Sequence, residues 1–126
     1  MAFDRKLLRY IGRPIETRYD NIRNPDYRPQ IRVQALDPVN CGDYGPIQIC
    51  FDLKNLRDPK KSKPLAFANL KPGHAILLAA ELIKAAISIS VILKPEDIIH
   101  QVVEETKIWY MRNYNKINYF NEVIQG

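Results

Sequence analysis

Between residues 30 and 54 apolar and polar side chains twice alternate with a period of two. Ile31, Val33 and Ala35 interleave with Gln30, Arg32 and Gln34, and Ile47, Ile49, Phe51 and Leu53 interleave with Gln48, Cys50, Asp52 and Lys54. Alternation of this kind sets one row of side chains on a core and the other toward solvent, so residues 30–36 and 46–54 are predicted to be half-buried strands. The connection between them, DPVNCGDYGP, is rich in turn formers and suits a hairpin. Residues 65–70 alternate less sharply, because Leu65, Phe67 and Asn69 interleave with Ala66, Ala68 and Leu70, and are predicted to add another strand. Residues 15–19 read as extended, followed by a loop around Asn24-Pro25-Asp26.

A helical period governs the two ends. Phe3, Leu7, Leu8 and Ile11 share one face at helical spacing, Asp4 stands where a cap belongs, and Gly12-Arg13-Pro14 stops the run, so a short N-terminal helix is predicted. From Lys71 onward the character changes. Pro72 suits a first helical turn, and residues 75–87 are apolar almost all round, with only His74, Glu81, Lys84 and Ser88 as a polar stripe. A helix of that composition is expected to be wedged in a core or pressed on a partner subunit. The following ISISVIL, residues 87–93, reads equally as strand or as further helix. Pro95-Glu96-Asp97 then opens a second helix with acids in its first turn, and Ile99, Val102, Val103, Thr106, Trp109 and Tyr110 follow a 3–4 spacing that fades near Asn113. The expected architecture is α+β: a short N-terminal helix, an antiparallel sheet of about four strands, then two C-terminal helices, in a dimer or higher oligomer.

At 126 residues, 46% hydrophobic and 26% charged, the chain is sized and composed as one folded domain rather than a disordered segment. Residues 1–71 form its strand-rich, basic part and residues 72–126 its helical part. The opening MAFDRKLLRY lacks the apolar stretch of a secretory signal, and Glu81 and Lys84 interrupt the longest apolar run, residues 75–93. A soluble cytoplasmic protein with free thiols at Cys41 and Cys50 is therefore expected, although their spacing would also allow a small disulfide loop.

Charge changes the picture further. The net charge of +5 is the sum of +4 over residues 1–32, −3 over 33–53, +5 over 54–71 and −1 over 72–126. Seven of the nine arginines fall at positions 5, 9, 13, 18, 23, 28 and 32, with Tyr10, Tyr19 and Tyr27 between them. Guanidinium groups fork onto phosphate oxygens, and tyrosine rings give bases a face to stack on, so this pattern suits a single-stranded nucleic acid. The candidate contacts are Arg18, Tyr19, Arg23, Tyr27, Arg28 and Arg32 together with Lys54, Arg57, Lys60, Lys61 and Lys63. The alternative is a solvated basic surface with tyrosines packed on a sheet.

Catalytic patterns are missing. The sequence holds no glycine-rich phosphate loop, no Gly-x-Ser-x-Gly elbow and no His-Glu-x-x-His, and His74 and His100 have no nucleophile placed near them in sequence. The scattered cysteines and histidines have no metal-ligand spacing, so no metal or other cofactor is expected. A non-enzymatic protein is expected. Trp109, Tyr110, Tyr114, Tyr119 and Phe120 make the C-terminal region aromatic and suit it to core packing, a dimer contact or a docked partner.

Residues 47–86, IQICFDLKNLRDPKKSKPLAFANLKPGHAILLAAELIKAA, carry a family resemblance. An amphipathic strand leads through a basic loop into a short strand ending in Leu, and an apolar helix follows at once. This resembles the second half of a positive cofactor four-type module, the single-strand-binding fold that Whirly proteins hold in duplicated form. The resemblance implies a curved antiparallel sheet followed by a helix that pairs across a dimer. It also implies single-stranded nucleic acid lying along the sheet, with Lys54, Arg57, Lys60, Lys61 and Lys63 as the matching basic residues. Lys63-Pro64 stands where the family has Lys-Gly, and residues 89–126 lie outside the match.

Two functions follow as expectations. In the first, a homo-oligomer binds nucleic acid, preferably single-stranded, through basic and aromatic side chains on a sheet face. In the second, a protein-interaction or assembly module uses the apolar 75–87 helix and the aromatic C-terminal region without nucleic acid. Arginines lining one groove favour the first, and arginines paired with Asp and Glu favour the second.

Overall fold

The structure, a computed structural model, describes residues 8–38 and 44–118. The chain divides into two compact units, residues 1–75 and residues 76–126.

The first unit is an antiparallel sheet. Its strands are β1 (Leu8–Ile11), β2 (Ile15–Glu16), β3 (Tyr27–Leu36), β4 (Ile47–Asn55) and β5 (Lys63–Leu70), in the order β1-β3-β4-β5 with β2 also on β3. The two period-two segments pair as a hairpin, from Tyr27 opposite Asn55 to Ala35 opposite Ile47. Residues 39–43 of its connection lie outside the described residues. β3 begins three residues earlier than the alternation predicts, because Tyr27, Arg28 and Pro29 find cross-strand partners in Asn55, Lys54 and Leu53. β5 likewise takes in Lys63 and Pro64, after an irregularity between Phe51 and Asp52 in its pairing with β4.

The expected N-terminal helix is corrected where it can be seen. Residues 8–11 form an edge strand, Leu8 opposite Leu36 and Ile11 opposite Gln34, while Phe3 and Leu7 lie outside the described residues. A helix of nine residues is marginal on its own, whereas pairing with β3 satisfies backbone groups along an existing strand. The same edge continues past Gly12, whose N–H donates to the Val33 carbonyl (2.7 Å), to Ile15 opposite Ile31. Pro14, which has no N–H to offer, divides β1 from β2.

Because cross-strand partners share a face, the register sorts the sheet into two surfaces. One is apolar: Ile31, Val33 and Ala35, then Ile49, Phe51 and Ile47, then Ala66, Ala68 and Leu70. The other is polar: Gln30, Arg32 and Gln34, then Asp52, Cys50 and Gln48, then Phe67 and Asn69. Among the described residues the buried hydrophobic side chains are Cys50 and Leu53, and the buried polar ones are Gln34 and Asn55. Gly45 is buried where a Cβ would overlap the backbone of Leu70 and Lys71, so the β3–β4 connection can close on the end of β5 only at a residue without a side chain.

The helices are α1 (Pro72–Ile89) and α2 (Pro95–Arg112). The ambiguous 87–93 segment is helix as far as Ile89 and then a turn, not a strand. Ser90 ends α1 by exchanging hydrogen bonds with the Leu93 backbone, and Lys94, which precedes a proline, is extended. α2 closes at Asn113, as its fading pattern predicts, with the Asn113 N–H on the Trp109 and Tyr110 carbonyls. Neither helix has a buried residue. Of the two settings expected for α1, a core or a partner surface, the first is not seen within this chain, where Leu82 is 64% and Ile89 80% exposed. Over its 18 residues the mean hydropathy is 1.4, long and apolar enough by length and composition to cross a membrane despite Glu81 and Lys84.

Candidate nucleic-acid interface

The basic segments on either side of the hairpin meet at one end of the sheet. The loop after β2 begins where the Thr17 N–H donates to the Pro29 carbonyl (3.1 Å) and ends where the Asp26 carbonyl accepts from the Leu56 N–H (2.8 Å). Arg57 on the β4–β5 turn reinforces this junction with an ion pair to Asp26 (3.0 Å). Arg18, Arg23, Arg28, Lys54, Arg57, Lys60, Lys61 and Lys63 are all exposed there. Segments 13–28 and 54–63 together carry nine basic against four acidic side chains. That excess equals the charge of the whole chain, +5.

The β4–β5 turn is held by polar side chains rather than by apolar packing. Asn55 Oδ1 accepts from the backbone N–H groups of Arg57 (3.0 Å) and Asp58 (2.9 Å), and the Asn55 N–H donates to Ser62 Oγ (2.9 Å). Asp58 Oδ1 accepts from the Lys60 N–H (3.1 Å), capping a single 3-10 turn at Pro59–Lys61. The backbone is thus fixed while the side chains of Lys60, Lys61 and Lys63 stay in solvent. Asn55, Asp58 and Ser62 are the positioning residues that the charge pattern overlooked. Their sequence signal was the Asx-turn chemistry of Asn-Leu-Arg-Asp-Pro.

Arg28 and Lys54 stand directly opposite each other on the polar face, a like-charge pair that a nearby anion relieves. Glu16 partly does so, at 2.9 Å from Arg28. Pairs this exposed contribute roughly 0–1 kcal/mol and are readily exchanged for a phosphate. Among the described residues Arg18, Arg23, Lys54, Lys60, Lys61 and Lys63 make no ion pair.

Other candidates serve the fold. Arg32 sits farther along β3, its Nε 3.5 Å from Asp52 and its Nη1 donating to Gln34 Oε1 (2.6 Å), while Gln34 Nε2 donates to Gln48 Oε1 (2.6 Å). This chain of contacts crosses the polar face beside the fully buried Cys50, a free thiol. Burial pushes that thiol's pKa up, against the pull of Arg32 and with a smaller push from Asp52. Tyr19 turns inward. Its hydroxyl donates to the Gln30 carbonyl (2.7 Å) and lies 3.3 Å from that of Asp52, and its ring packs at a tilt 6.5 Å from Phe51. Burial, then the Asp52 charge, raise its pKa. Tyr27 is half-buried at the start of β3. The arginines therefore divide: Arg9, Arg28, Arg32 and Arg57 pair with carboxylates, and Arg18 and Arg23 do not.

Elsewhere, Trp109, Tyr110 and Tyr114 are exposed rather than core, the two tyrosines meeting edge to face at 5.6 Å, while Tyr119 and Phe120 lie outside the described residues. Cys41 also lies outside them. An open hollow of about 550 Å³ beside the turn between the helices is lined by Ile89, Val91, Ile92, Leu93, Ile98 and Val102 among others, and is apolar. No protein-family model, curated protein or solved structure matches this chain.

Proposed function

We propose that this protein binds single-stranded nucleic acid, without catalysis and as a homo-oligomer, at the basic end of its sheet. The observation that carries the reading is the junction at Asp26, where two basic segments distant in sequence meet and the turn bearing Lys60, Lys61 and Lys63 is held by Asn55. The resemblance of residues 47–86 to the positive cofactor four-type module points the same way, because the matching basic residues all lie at this junction. Phosphates engage Arg18, Arg23, Lys54, Lys60, Lys61 and Lys63, with Arg28 and Arg57 exchanging weak surface partners for them. Arg32 and Tyr19 act as supports, and Tyr27 is left as the candidate stacking ring.

The test is fluorescence anisotropy with labelled single- and double-stranded oligonucleotides at several salt concentrations. Single strands should bind more tightly. If about six phosphates are engaged, log affinity should fall with log salt at a slope near −4 (about −0.7 per phosphate). A flat salt response overturns the reading.

A second reading is favoured by a different observation, the exposed apolar surface of α1 together with exposed Trp109 and Tyr110. In it the chain is an assembly module, and the four arginine–carboxylate pairs are ordinary surface chemistry. Absence of oligonucleotide binding at low salt selects it.

A further inference from the structure

Among the described residues β5 forms one margin of the sheet, pairing with β4 on one side and with no strand on the other. The Leu36 N–H donates to the Pro46 carbonyl (2.7 Å) and the Leu56 N–H to the Asp26 carbonyl (2.8 Å), so the even-numbered residues of β4 are the ones that bond β3. Bonds to β5 therefore fall at Ile47, Ile49 and Phe51, opposite Leu70, Ala68 and Ala66. That alternation leaves Phe67 and Asn69 with their backbone N–H and C=O groups pointing out of the sheet. Residues 65–70 hold no charge and no proline, and Leu65 and Phe67 are 46% and 49% exposed. Exposed Lys63 and Lys71 stand at the two ends of this edge, and residues 59–80 contain no acidic side chain.

We propose that the β5 edge binds an extended segment of a partner protein, apolar in its middle and acidic at both ends, as an added strand. Backbone donors and acceptors aimed outward along one edge are matched by the backbone of another strand. The uncharged stretch accepts apolar side chains on both faces of that strand, beside Phe67 on one and beside Ala66 and Ala68 on the other. Lys63 and Lys71 attract its acidic ends. A second copy of this chain is the poorer occupant, because antiparallel pairing centred on Phe67 would set Lys63 of each copy directly against Lys71 of the other. Lysine on an edge is an ordinary guard against self-association, and here the two lysines leave the stretch between them open to a strand of opposite charge.

This edge shares Lys63 with the proposed nucleic-acid interface but does not rest on that reading, and it is tested without nucleic acid. The full chain is titrated into the fluorescein-labelled peptide DEVTIVTVED, followed by anisotropy. Saturable binding is expected, and the same peptide N-methylated at its central residues, so that neither edge can donate, should bind roughly tenfold more weakly or worse. The lysine-flanked peptide KKVTIVTVKK should also lose affinity, and Lys71→Glu should weaken binding of the acidic peptide roughly two- to fivefold. Phe67→Pro removes the outward N–H at the centre of the edge, where a strand tolerates proline, and should block binding. Circular dichroism checks that this variant keeps its fold, and the modified peptides carry the test on the unaltered protein. Three results overturn the proposal: no anisotropy change up to roughly 0.5 mM chain, an N-methylated or lysine-flanked peptide that binds as well as the parent, or a dimer of the free chain that Phe67→Pro dissociates. The last would make a second copy the occupant of the edge.

Discussion

Replacing Asn55 with alanine probes the link between the fold and the basic turn. Asn55 is 5% exposed, and its Oδ1 accepts from two backbone N–H groups, those of Arg57 and Asp58. Alanine removes the acceptor and leaves both donors to find water at a half-closed turn. Losing a hydrogen bond while leaving its partner unsatisfied costs about 1–3 kcal/mol, and water reaches at least the exposed Arg57 side, so a total of about 1–3 kcal/mol is expected for the pair. With a urea m-value of about 1–3 kcal/mol/M, the unfolding midpoint of the sheet unit should fall by roughly 1 M. Asn55→Asp is the control, because it keeps the accepting oxygen and adds a negative charge next to Lys54 and Lys60. It should lose less than half as much stability as alanine. The measurement is urea unfolding followed by far-ultraviolet circular dichroism. An unchanged midpoint for Asn55→Ala, or an equal loss for the aspartate, would refute the claim that this amide organises the turn. Oligonucleotide affinity gives a second readout: alanine should weaken binding although Asn55 touches no phosphate, because Lys60 and Lys61 lose their fixed backbone.

Other consequences are open to equally direct checks. Lys60→Ala/Lys61→Ala should reduce the salt slope of single-strand binding by roughly 1.4, about 0.7 per lost phosphate contact, with thermal stability unchanged. Tyr19→Phe keeps the ring but removes the hydroxyl from the Gln30 carbonyl, so it should cost about 0.5–1.5 kcal/mol in unfolding experiments and leave oligonucleotide affinity intact. Since the folded-state pKa of Tyr19 is raised, the folded form prefers the phenol. Its contribution is fully present below the unfolded value near 10 and is lost as pH rises through the higher folded value. The Tyr19→Phe protein should therefore lose less stability than the parent as pH is taken from 9 to about 11. Gly45→Ala places a methyl group against the backbone of Leu70 and Lys71, which cannot rotate aside, and should cost about 1–3 kcal/mol, read as a lower thermal midpoint.

The alternation in residues 30–36 and 46–54 made the central hairpin legible, because a period of two survives whatever packs on the sheet. The two C-terminal helices were legible for a similar reason, with Pro72 and Pro95 marking their starts. Residues 8–11 were not, since Leu8 and Ile11 satisfy a helical face and a strand equally and only the waiting edge of β3 decides between them. At the candidate site, residue type picks out the lysines of the β4–β5 turn, which make no ion pair among the described residues. It does not separate the paired Arg32 from the unpaired Arg23, or the hydrogen-bonded Tyr19 from Tyr27. That distinction depends on Asp52 and the Gln30 carbonyl, which are distant in sequence from the Arg32 and Tyr19 side chains they engage.

Charge, by contrast, was fixed by composition alone, and so was the apolar character of residues 75–87. What the fold added was proximity. Local pattern sets the conformation of each segment, because backbone preference and side-chain period act over a few residues. Which basic segments share one end of a sheet, and which arginines find carboxylates, is set by strand order and register. Those are long-range pairings, and their partners are decided by the whole sheet rather than by any stretch of it.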